Sequence, residues 1–98
     1  MRTRGRVDQN QAALVRVARQ LGASWVSLAN LGAGVPDALV GFRGRTVLVE
    51  VKTPTGKLTP DQEQFLTTWR GEPVVIVRTI DDLVKMLVPS AQERGRAL

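Results

Sequence analysis

An α/β fold, with a mixed β-sheet flanked by helices in the order αβββαβα, is predicted by three observations. Residues 38–42 and 46–51 are short apolar runs around a turn at Gly41-Phe42-Arg43-Gly44-Arg45, the pattern of a β-hairpin. Residues 8–21 carry apolar side chains at three- and four-residue spacing, the period of a helix with one buried stripe, and a last helix at about 80–88 opens on a cap at 79–82. Between the hairpin and a further apolar run at 73–78 stands Thr59-Pro60-Asp61-Gln62, a helix start. The last strand therefore follows a helical crossover and pairs parallel to the strand before it.

Each element has a local reason. Residues 1–6, where Arg2, Arg4 and Arg6 alternate with small residues, read as a basic arm without regular structure, suited to phosphates or simply to solvent. In the helix at 8–21, Leu14, Val17, Ala18 and Leu21 form the apolar stripe, and Gly22 is the stop. A strand at 24–28 brings Trp25 as a large packing residue. The glycine-rich connection at 30–35 delivers Asp37, with Pro36 presetting its own φ. The run 46–51 is nearly continuously apolar, which predicts burial on both faces, and Pro54 stops the strand. A loop at 53–58 carries Lys57. Thr59 as cap, Pro60 at the first helical position and Gln62 three after the cap then open a helix reaching about Arg70, with Phe65, Leu66 and Trp69 on one face and Gly71 as terminator. The last helix is capped in the 79–82 region, and the polar residues 89–98 are expected to fray. Ninety-eight residues amount to one domain, 1–98, with a modest core.

Composition narrows the chemistry. The chain has neither cysteine nor histidine. That excludes disulfides, cysteine zinc sites, Ser-His-Asp catalysis and histidine-ligated metals. Any metal must be held by oxygen, which favours Mg²⁺ or Mn²⁺. No stretch approaches the ~20 apolar residues of a membrane helix, and no apolar signal core follows the basic N-terminus, so a cytoplasmic protein with no membrane partner is expected. Fourteen Lys plus Arg against nine Asp plus Glu leave a net charge of +5. An arginine-rich balance points to a polyanion, nucleic acid first; a basic protein with no such partner is the competing reading.

The hairpin organises the candidate site. Glu50 and Lys52, two apart, point to the same side of their strand, with Leu48 before them, while Val47, Val49 and Val51 point to the other. The hairpin's open ends meet, so Asp37 can lie near Glu50. A Glu-x-Lys pair on a strand is commonly only a solvated face. A charged pair ending a strand buried on both faces, however, is either paired or bound to a metal.

Pro36-Asp37, a strand, a turn, and Glu50-Val51-Lys52 closing the next strand form a recognisable order. Around it stand Asp8-Gln9-Asn10-Gln11, Gly34-Val35, Thr53-Pro54, Gly56-Lys57-Leu58-Thr59-Pro60-Asp61-Gln62 and Trp69-Arg70-Gly71. In this order and spacing, residues 6–88 resemble small stand-alone VRR-nuclease domains of the PD-(D/E)XK superfamily, often found in phage. The resemblance implies a restriction-endonuclease-like core and a Mg²⁺- or Mn²⁺-dependent DNA endonuclease working, if phage-encoded, in the bacterial host cytoplasm. It implies that Asp37, Glu50 and the backbone carbonyl of Val51 bind metal, and that Lys52 orients the attacking water and stabilises the charged transition state. Gln62 then supports Lys52, or serves only as the third residue of a capping box. Asp8 stands where the family has Glu and is read either as a further metal ligand or as a helix cap paired with Gln11. Lys57, Arg43 and Arg45 are candidates for DNA contacts, the two arginines equally for solvent. Small members of the family resemble Holliday-junction resolvases, and a junction must be cut on two strands, so a homodimer acting on branched or four-way DNA is expected. The alternative is a non-catalytic nucleic-acid-binding module of the same fold; a phosphatase lacks a separate nucleophile.

Overall fold

The apolar stripe of the first helix is where the core begins. The protein was analysed as a computed structural model, which describes residues 2–88, with side chains from residue 9. Helix α1 spans Arg2–Gln20, so the backbone at residues 2–6 continues the helix rather than preceding it as an arm. The residues at 89–98, expected to fray, lie outside the described ones. Leu14 and Ala18 are fully buried, but Leu21 lies past the helix end and is 41% exposed. The end is a Schellman motif: Ala23 N–H donates to the Ala18 carbonyl and Gly22 N–H to that of Arg19, with Gly22 at φ +97°.

Four strands follow, β1 (Ser24–Ser27), β2 (Ala38–Phe42), β3 (Arg45–Val51) and β4 (Val75–Val77), paired in that order. The first two pairings are antiparallel and the third is parallel, as the crossover requires. The hairpin turn is shorter than its sequence suggests. Only Arg43 and Gly44 lie between Phe42 and its partner Arg45, both with positive φ (49° and 80°), as a type I′ turn demands.

One face of the sheet carries the core. Trp25, Ala38, Val40, Phe42, Val49, Val51 and Val77 pack there against Leu14 and Ala18 of α1 and Leu83, Met86 and Leu87 of helix α3 (Ile80–Leu87). Arg45, at the edge of this face, donates to the Met86 carbonyl at 3.1 Å, a cation on the C-terminal end of α3. Among the described residues the other face is covered by helix α2 (Pro60–Thr68), none of whose residues is buried. Phe65 and Trp69 stack at 5.3 Å between ring centroids, yet Trp69 is 43% exposed. The face expected to point inward is therefore only half covered, because a nine-residue helix cannot roof a four-stranded sheet.

Candidate active site

The C-terminal end of β3, the approach to β2 and the first turn of α2 converge on one spot. Gly32, Ala33 and Gly34 all have positive φ, and this turn leads to Pro36, which is buried, and Asp37. Gly34 lies against the backbone of α2: a Cβ there would overlap the Asp61 carbonyl and come within 2.9 Å of the Gln62 nitrogen. The segment presenting Asp37 and the helix presenting Gln62 thus interlock. Gly34→Ala combines the clash with a φ of +78°, whereas Gly32→Ala has φ +65° but open space. A left-handed Cβ costs ~1–2 kcal/mol and 1 kcal/mol shifts a small domain by ~4–8 °C, so thermal melts should show Gly32→Ala lowered by about 5–10 °C and Gly34→Ala by clearly more.

Asp37 immediately precedes Ala38, whose partner is Val49, which brings Asp37 opposite the end of β3. Its carbonyl accepts from Leu28 N–H at 2.8 Å, and its carboxylate accepts from Val51 N–H at 2.7 Å. Glu50 is 3% exposed, the one buried charged residue among those described. Its Oε2 accepts from Gln62 Nε2 at 3.0 Å and stands 3.9 Å from Lys52 Nζ. Burial, reinforced by the Asp37 charge and a hydrogen bond with that carboxyl and opposed by Lys52, pushes the Glu50 carboxyl up to about 8.

Gln62 serves two structures at once. Its backbone N–H and side-chain Oε1 close the capping box with Thr59, at 3.2 and 2.9 Å, while the Nε2 end of the same amide reaches Glu50. The cap orients the amide, and the amide orients the carboxylate.

Two carboxylates and one ammonium share this volume, and burial together with the excess negative charge favours the protonated form of Glu50. Hard oxygen donors in such an arrangement fit a divalent cation of the Mg²⁺ type, which keeps several waters and takes only one or two carboxylates. Val51, whose N–H is bound to Asp37, places its peptide at the same spot. Among the described residues no third acid joins the pair. The side chain of Asp8 lies outside those described. Its backbone is in the interior of α1, six residues past Arg2, so it is not the helix cap.

The other expected residues separate into two groups. Lys57 is exposed in the loop after Lys52, at the carboxylate end of the sheet. Arg43 and Arg45 are at the opposite end of the hairpin, six residues along the strand from Asp37 and, for Arg45 opposite Phe42, five, or about 17–20 Å. There Arg43 lies 5.0 Å from the Phe42 ring centroid and Arg45 caps α3.

Two polar residues of the site were not foreseen. Asn10 Nδ2 donates to the Lys52 carbonyl at 3.3 Å, tying α1 to the end of β3. The signal was present, since Asn10, Leu14 and Ala18 recur at four and share the inward face. Arg78 Nη1 donates to the carbonyls of Thr53 and Gly56 at 2.8 and 2.6 Å, fastening the loop that carries Lys57. Its place follows from β4 running parallel to β3: Val77 pairs with Val51, so Arg78 comes beside Lys52. No helix among the described residues is long and apolar enough to cross a membrane.

Comparison with curated proteins and with solved structures yields no match. The family model of the VRR-NUC domain matches residues 5–78, a span holding Asp8, Asn10, Asp37, Glu50, Lys52, Gln62 and Arg78. The VRR-NUC domain is a PD-(D/E)XK-like nuclease domain, and the four-stranded mixed sheet between helices is that architecture. With most of its length matched and its fold in agreement, this chain belongs to the VRR-NUC domain family.

Proposed function

We propose that this protein is a divalent-metal-dependent DNA endonuclease that acts as a homodimer on branched DNA of the four-way-junction type. The observation that carries the catalytic reading is the buried Glu50 carboxylate, held by Gln62, beside Asp37 and within 3.9 Å of the Lys52 ammonium. Buried acids with strongly shifted pKa values beside a second acid gather at functional sites. Nuclease domains of this type usually use divalent metals.

Asp37, Glu50 and the Val51 carbonyl would hold Mg²⁺ or Mn²⁺, which supplies phosphate polarisation and a more acidic bound water. Lys52 orients the attacking water and offsets negative charge gathering on the phosphoryl oxygens. Gln62, by its bond to Oε2, fixes the direction of the Glu50 lone pairs. The water oxygen bonds to phosphorus as the bond to the leaving oxygen breaks; the water releases one proton to solvent and the leaving oxygen takes one from solvent. Lys57, next to this site, is the nearest of the expected phosphate contacts; Arg43 and Arg45 reach DNA only if the substrate extends along the hairpin.

The homodimer is supported by an apolar row that no other described element covers. Val26, Leu39 and Leu48 are successive register partners on the face that α2 leaves open, with Val26 53% exposed and Trp69 beside Leu39 and Leu48. Two copies related by a two-fold axis would also present two active sites to the two strands of a junction. Labelled linear and four-way DNA, incubated with Mg²⁺ or with excess chelator, tests the reading. Cleavage that needs the metal and is faster on the junction is expected, together with a dimer mass by light scattering. Cleavage persisting in chelator would defeat the catalytic reading, and a monomer with equal rates on both substrates would defeat the dimeric, junction-selective one.

A further inference from the structure

A groove of about 860 Å³ runs between α1 and β1 and does not contain the carboxylates. We propose that it seats the phosphate backbone of a nucleic-acid strand entering or leaving the catalytic site, an assignment that rests on the nuclease reading above. Arg16 and Arg19, both exposed, line it, with Gln11, Gln20 and Ser27 as further hydrogen-bonding groups. Ala12 and Val15 provide its apolar part, and among the described residues no Asp or Glu lines it. Among the described residues neither arginine pairs with an acid, and the one bond from Arg19, to the Trp25 carbonyl, is 3.5 Å long. These guanidinium groups therefore keep most of their donors for a ligand, and Arg forks match phosphate oxygens.

The direction of the groove ties it to the site. At one end, Gln11 follows Asn10, which is bonded to the Lys52 carbonyl, and Ser27 pairs with Ala38, next to Asp37. At the other end stand Arg19 and Gln20, where α1 stops. A helix rises 1.5 Å per residue, so Gln11 to Gln20 spans about 14 Å, room for a few successive phosphates of one strand. Arg16 and Arg19 are one turn apart along this path. The hairpin arginines offer no such continuity, being about 17–20 Å from Asp37 and engaged with Phe42 and α3.

The test measures binding separately from cleavage, in chelator, by fluorescence anisotropy of labelled DNA over a range of salt. Arg16→Gln with Arg19→Gln should raise Kd at least about tenfold and reduce the slope of log Kd against log salt by about 2, one contact for each arginine. An equal charge loss elsewhere, Arg70→Gln with Lys85→Gln, should change Kd less than about threefold. Ala12→Glu, which keeps both arginines and alters an exposed helical position, should weaken binding as the arginine pair does. Melting curves confirm that each variant folds. Equal effects of the two double variants, or an unchanged salt slope with Arg16 and Arg19 replaced, would overturn the groove. If wild-type protein binds through the groove but cleaves nothing with Mg²⁺, the nuclease reading fails and the groove stands. If it cleaves and the groove variants bind as wild type, the groove alone fails.

Discussion

Glu50→Gln is expected to remove DNA cleavage while making the metal-free protein more stable at pH 8. The two effects share one cause. Glu50 is buried against Asp37, so its ionised form is unfavourable in the fold, and its carboxyl is pushed up to about 8. A glutamine has the same shape, still offers an oxygen to Gln62 Nε2, and carries no charge to desolvate. It is also a poor ligand for a hard cation. Losing a metal's share of transition-state stabilisation, several kcal/mol, corresponds to a rate lower by on the order of 10³-fold. A purely structural acid would behave otherwise, because its replacement would leave cleavage intact. Single-turnover cleavage with Mg²⁺ and melting in chelator at pH 8 check both halves. A variant retaining more than a tenth of wild-type cleavage, or melting below wild type, would sink the explanation.

The stability of the metal-free protein should fall as pH rises from about 4.5 to about 8, and Mg²⁺ should restore it. In the unfolded chain the Glu50 carboxyl ionises at its ordinary value of 4.5, whereas in the fold it keeps its proton to about 8. Between those values the native state binds more protons than the unfolded state, so stability decreases with rising pH; the full contribution is present only below the unfolded value. The change amounts to a few kcal/mol at most, or on the order of 10 °C in melting temperature for a domain of this size. A divalent cation held by Asp37 and Glu50 replaces the proton as the compensating charge, so millimolar Mg²⁺ should raise the melting temperature more at pH 8 than at pH 5.5. The slope belonging to Glu50 should vanish in Glu50→Gln. A wild-type melting temperature indifferent to Mg²⁺ at pH 8 would show that the pair does not take the cation.

Much of this molecule was legible in its residues. Strand alternation placed Glu50 and Lys52 on the face opposite Val49 and Val51, and the hairpin register brought Asp37 to them. The parallel fourth strand followed from the crossover through Thr59-Pro60-Asp61-Gln62. Periodicity, turn chemistry and capping are local, and the order of a few residues states them. The boundaries were less well determined: α1 extends back to Arg2, because no breaker precedes Asp8 and Gly5 alone does not end a helix.

Other properties depended on which surfaces meet. Gln62 read as either a cap or a site residue; only the packing of α2 against Gly34 directs Oε1 to Thr59 and Nε2 to Glu50 simultaneously. Arg45 read as a hairpin-tip cation, and docking of α3 made it a partner for the Met86 carbonyl. Asn10 and Arg78 joined the site from 42 residues before Lys52 and from 25 residues after Thr53. The pKa of Glu50 is likewise collective, since desolvation and the Asp37 charge arise only when the sheet closes over them. Sequence by itself determined which groups each strand and helix would carry, because backbone geometry repeats with a known period. The tertiary structure decided which of those groups lost water and which found partners, because both depend on contacts between segments distant along the chain.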